Sequence, residues 1–177
     1  MTELLHAWAI APAAIGACCV AADRGRARWP DAVASALMLI AMLDTAITGL
    51  VAPVYWAAVL LGSAMALAAW QRPRRGAGGR AASAPGPMAV HTALGLVAMA
   101  ALQVGMTPPS AATTAAAAHA HGGAGGGALL AALLLGGAVA YAALSALLVL
   151  RAHRPLDRAQ LICMGISVLL MAVGVSM

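Results

Sequence analysis

The chain has 177 residues, 63% of them hydrophobic and 8% charged, with a mean hydropathy of +0.92. A soluble domain carries roughly a quarter charged residues, so a water-soluble globular protein is excluded. Phe is absent and all ten basic residues are Arg; the net charge of +5 comes from arginines set between apolar runs, which points to a bilayer and not to nucleic acid.

A bilayer core about 30 Å thick needs roughly 20 consecutive apolar residues in a helix. Six runs meet that length, at approximately 4–22, 32–51, 54–71, 88–107, 128–150 and 158–177. Helices satisfy their own backbone groups in lipid, and no run has the period-two alternation of a barrel strand. The expected fold is therefore an all-α membrane protein, a six-transmembrane-helix bundle forming a single membrane domain over 1–177. Met1-Thr2-Glu3 lacks the basic start of a signal peptide, so the first run is expected to be retained.

Taken in chain order, the connectors alternate in charge. Arg24, Arg26 and Arg28 lie between the first and second runs. Arg72, Arg74, Arg75 and Arg80 lie between the third and fourth, and Arg151, Arg154 and Arg158 between the fifth and sixth. The turn at 52–53 and the loop at 108–127 carry none. Positive charge stays cytoplasmic, so the arginine connectors are expected in the cytosol, both termini outside, and the protein in the plasma membrane. The pattern also reads as three helical hairpins. Pro30-Asp31, Pro87 and Pro155-Leu156-Asp157 precede the even-numbered spans, where Pro fits a helix start and Asp caps free amides.

Several side chains are candidates for chemistry. Asp44 is the only charged residue expected inside a span, which makes it a candidate for proton or cation coupling, with Thr48 one turn away as its hydrogen-bond partner. His91 in the fourth span shares a depth with Cys18, Cys19 and Cys163. Thiol, imidazole and thioether groups together favour copper(I) or zinc, and the cysteines are expected to stay reduced. Met38/Met42 at i,i+4, with Met99/Met106 and Met164/Met171 at i,i+7, stripe three helices. They pack a core or form a thioether path through Met42, Met99, Met106 and Met171. His119 and His121 in the outer loop form an imidazole pair suited to weak binding of copper(II), nickel or zinc, which His6 could join.

Met-bearing even-numbered helices with His or Cys near their starts resemble an actinobacterial six-helix integral-membrane family catalogued as a domain of unknown function. The residues carrying the likeness are His91 with Met99 and Met106, Met38 with Met42, and Cys163-Met164 with Met171. Ala34 and Cys163 depart from a fuller pattern that would place His there. The resemblance implies a membrane bundle and carries no established activity.

Enzymatic motifs are missing: there is no GxSxG, HExxH or P-loop, and His6 and His91 lie at opposite depths, which disfavours bis-His haem. Neither haem nor nucleotide is expected as a cofactor. Two functions from different classes follow. One is a non-catalytic membrane protein that binds or passes copper(I) through Met42, Met99, Met106, Met171, His91, Cys163, His119 and His121. The other is an accessory subunit, or a homo-oligomer, docking through small-residue ridges: Ala9, Ala13, Ala17 and Ala21 on the first span, and Gly136, Ala140 and Ala143 on the fifth.

Overall fold

A computed structural model describes residues 2–23, 29–71, 86–106 and 125–176. They form six helices: α1 (Thr2–Ala22), α2 (Trp29–Leu43, continued by a π-helix, Asp44–Thr48), α3 (Pro53–Gln71), α4 (Pro87–Gly105), α5 (Gly125–Arg151) and α6 (Pro155–Ser176). Among the described residues there are no strands. Five helices are long and apolar enough to cross a membrane, and α1 adds a shorter apolar stretch, Trp8–Ala22. The chain is thus a multi-pass, membrane-embedded helical protein.

Pro punctuates the helix starts. Pro53, Pro87 and Pro155 open α3, α4 and α6, and Pro30 sits in the first turn of α2, where a missing N–H costs nothing. The starts of α5 and α6 lie three residues earlier than the apolar runs indicate, since Gly125 and Pro155 extend them. The end of α2 differs most. The expected run to 51 stops at Thr48, because Gly49 adopts a left-handed backbone (φ 57°) and donates its N–H to the Asp44 carbonyl at 2.6 Å.

Side-chain contacts fix the direction of every helix. Trp29 meets Trp70 at one end of the α2/α3 pair, with ring centroids 6.2 Å apart, and Asp44 meets Trp56 at the other. The Ser167 hydroxyl donates to the Ala9 carbonyl at 3.1 Å, and Gly16 faces Cys163, so α1 and α6 are antiparallel. Gly95 and Gly105 of α4 face Tyr141 and Leu134 of α5 in antiparallel order, and Met164 and Val175 of α6 in parallel order. Thr45 bonds Gln103, aligning α2 with α4. The even helices run one way and the odd helices the other. The three sequential hairpins each pack on themselves, and α1 closes the bundle against α6.

One end consequently holds the starts of α2, α4 and α6 and the ends of α1, α3 and α5. Every arginine connector is flanked by helix ends of that side; Arg24, Arg26, Arg28, Arg72, Arg74, Arg75 and Arg80 themselves lie outside the described residues. The exposed tryptophans and Tyr55 cluster toward the two ends. Trp29 and Trp70 are exposed at the arginine end, Trp8 and Tyr55 toward the other, as in interfacial aromatic belts.

The core is built from small and flexible side chains. Met38, Met42, Met99, Met164 and Met171 are all buried in one cluster with Leu60, Leu96 and Leu102. Burial is uneven: half of the α6 span is buried, against 22% of α3 and 17% of α5. α6 is therefore a central post, and α3 and α5 are peripheral staves facing lipid along most of their circumference.

Candidate functional site

Two polar clusters lie inside this apolar frame. The first is Asp44, at the end opposite the arginines. The π-helix and the left-handed Gly49 fold the chain back over its carboxylate. Oδ1 accepts the Thr48 hydroxyl and the Leu50 amide (3.1 Å), and Oδ2 accepts the Val51 amide (3.1 Å) and the Trp56 indole N–H (2.7 Å). Each carboxylate oxygen offers two lone pairs, so four donors saturate the group. The Thr48 contact is the one expected from the helical spacing. The other three require the turn and the start of α3, which helical spacing alone does not reveal. Next to it the Thr45 hydroxyl bonds the Ala41 carbonyl and accepts the amide of fully buried Gln103 at 3.0 Å, tying α2 to α4.

The second cluster is built around His91, which is fully buried. Its Nε2 lies 2.8 Å from the Ser145 hydroxyl, and Nδ1 lies 3.4 Å from the Tyr141 hydroxyl. The Ser145 hydroxyl donates back to the Tyr141 carbonyl at 2.9 Å. Ser145 has one proton and has given it away, so it accepts from Nε2–H, and Nδ1 is left to accept from Tyr141. A neutral imidazole satisfies every member of this ring of bonds. The imidazole also stacks on the Tyr141 ring, with centroids 4.7 Å apart and planes 26° apart. Two glycines make room. A Cβ at Gly95 would lie 2.7 Å from the Tyr141 hydroxyl, and one at Gly165 would lie 3.3 Å from the Ser145 Cβ.

The candidate metal ligands are only partly brought together. His91 points at α5, with both ring nitrogens engaged. Cys163 faces α1 beside Gly16 and near the half-buried Cys19, while Cys18 is exposed. Met42, Met99 and Met171 belong to the closed core, with Met106 partly buried at its edge. Among the described residues no three His, Cys, Asp or Glu side chains gather as a metal cluster. His119 and His121 lie outside the described residues, as does the side chain of His6.

The two small-residue ridges separate in role. Ala9 and Ala13 are buried in the core cluster, so the α1 ridge closes the bundle against its own neighbours, although Ala21 at its end is exposed. Gly136, Ala140 and Ala143 are all exposed on α5, and an added Cβ at Gly136 would meet nothing within 4 Å. That strip faces outward.

No protein-family model, no curated protein and no solved structure matches the chain.

Proposed function

We propose that this is a non-catalytic protein of the plasma membrane that crosses it six times, with the arginine connectors cytoplasmic and both ends outside. It acts as an accessory subunit that docks onto a further membrane helix, from a partner subunit or a second copy, through the outward strip of α5. The crossing number is supported by the strict alternation of helix directions, in which α1 takes part. The sidedness is supported by the sequence placing all ten arginines in connectors whose flanking helix ends lie at one end of the bundle.

The observation that carries the docking role is the exposed Gly136–Ala140–Ala143 strip on a helix that buries only 17% of its span. In lipid there is no hydrophobic drive to pair helices. Association comes from close backbone approach, which small residues at i, i+4 and i+7 allow. The copper(I) reading has less support. It requires His91 to leave Ser145 and Tyr141, and it requires donors facing α5 and α1 to converge.

Gly136→Leu tests the docking role. Because nothing lies within 4 Å of a Cβ there, the variant keeps its fold while blocking close approach. Protein purified in mild detergent is expected to carry an associated membrane chain or a second copy, with Gly136→Leu lowering that association about tenfold or more, the equivalent of about 1.4 kcal/mol. A wild-type protein that purifies alone and loaded with copper overturns the proposal.

A further inference from the structure

At the arginine end, a cavity of about 510 Å³ opens between the start of α4 and the α5–α6 connection. Arg151, His153 and Arg154 line it together with Asp157, and Met88, Leu148 and Leu161 make its apolar floor. The α4 terminus that enters it is Gly86-Pro87, whose N-cap makes no side-chain hydrogen bond, so the positive end of the helix faces the cavity. Arg158 has a separate task, since its Nε donates to the Ala152 carbonyl at 2.8 Å and holds the connection in shape.

A second hollow lies nearer the bilayer interior, between α4 and α5. It measures about 360 Å³ and is lined by α4 residues such as Leu94 and Val97 and α5 residues such as Gly137 and Leu144, with Val168 of α6 behind. Leu144 of the trough and Leu148 of the cavity are one turn apart on α5, so the two hollows follow each other down one crevice. Tyr141 gives the trough its one polar group. Gly137 and Ala138 keep it open.

We propose that this crevice binds one anionic phospholipid of the cytoplasmic leaflet, its phosphodiester headgroup at Arg151 and Arg154 and an acyl chain in the α4/α5 trough. Charge complementarity selects this occupant. The cavity carries two guanidinium groups against one carboxylate. The connector that leads into Gly86 carries Arg72, Arg74, Arg75 and Arg80 and no acid. Basic pockets between membrane helices on this side recognise anionic headgroups. The depth matches as well. Leu144 lies seven residues below Arg151, about 10 Å along the helix. A leaflet is on the order of 15 Å thick, so the chain of a lipid held at Arg151 enters the trough at that level. The trough borders the docking strip at Ala140, which lines it, whereas Gly136 and Ala143 line neither hollow.

The test is native mass spectrometry of the delipidated full chain titrated with phosphatidylglycerol or phosphatidylcholine. One phosphatidylglycerol is expected per protein, retained at least tenfold better than phosphatidylcholine. The Arg151→Gln/Arg154→Gln pair is expected to abolish that preference. Gly137→Leu fills the trough, where an added Cβ meets nothing within 4 Å, and is expected to weaken phosphatidylglycerol about tenfold. Melting curves of each variant check that the fold is intact. Equal retention of the two lipids overturns the proposal, as does an arginine double variant that melts like the wild type and still prefers phosphatidylglycerol. Displacement of the lipid by millimolar inorganic phosphate, with Gly137→Leu unaffected, also overturns it by making the cavity a free-anion site.

Discussion

Asp44→Ala is expected to lower the melting temperature of the purified protein more than Thr48→Val and Trp56→Phe combined. Each of those two substitutions removes one donor and leaves the carboxylate with three. Asp44→Ala removes the acceptor for all four at once. The Leu50 and Val51 amides and the Trp56 indole then face the edge of the bilayer without partners, and an unmet donor costs more than a made bond gains. Asp44→Asn should fall between, since its amide NH2 faces donors where an oxygen accepted them. The damage should be local first, with protease cutting near Gly49–Ala52 before the rest of the bundle opens. Melting in detergent micelles with timed proteolysis measures both effects. An Asp44→Ala protein that melts like the wild type but loses a transport activity would instead assign the carboxylate to proton or cation coupling.

The methionines give the second large effect. Met99→Ala is expected to destabilise the bundle by about 2 kcal/mol, at the low end for deletion of a buried Met side chain. In the membrane the unfolded helix keeps this side chain in lipid, so little transfer energy is lost and the cost is that of the cavity and its missing contacts. Met99 is 1% exposed, and Met42 and Met171 are 2% exposed, so collapse onto the space is restricted. Leu at the same positions keeps the volume and should cost less than about 1.5 kcal/mol each. The Met42/Met99/Met171→Leu variant is accordingly expected to fold and to keep whatever metal content the wild type shows. Elemental analysis beside the melting curves separates the readings: stoichiometric copper in the wild type, lost in the triple Leu variant, would make the stripe a thioether path.

The helices were legible because their apolar runs are long and the arginines are segregated. Asp44 and its Thr48 partner were legible too, being the one charge in a run and one turn apart. The turn that surrounds Asp44 was not, because two of its donors are backbone amides and the third, Trp56, belongs to the next helix. The partners of His91 were hidden for a similar reason. Tyr141 and Ser145 sit in an apolar run some fifty residues away, and only the packing of α4 on α5 reveals them. Gly95 and Gly165 were faint signals, since small residues opposite a Tyr and a Ser mark a close approach. The cationic cavity at the α5–α6 connection combines residues that read from sequence as topology signals alone. The Ala9–Ala13 ridge and the Gly136–Ala143 strip both set small residues along one helix face, and only burial tells the inward one from the outward one.

Labelling with a membrane-impermeant maleimide tests the alternating sidedness of the connectors most directly. Single cysteines are introduced at Ser83 and Thr113 in a chain whose own cysteines, Cys18, Cys19 and Cys163, are replaced by Ser. Thr113→Cys should label in intact cells, and Ser83→Cys only after the membrane is permeabilised. Labelling of both positions from the same side, or of Ser83→Cys alone in intact cells, would contradict the alternating crossings or reverse the leaflet of every site described.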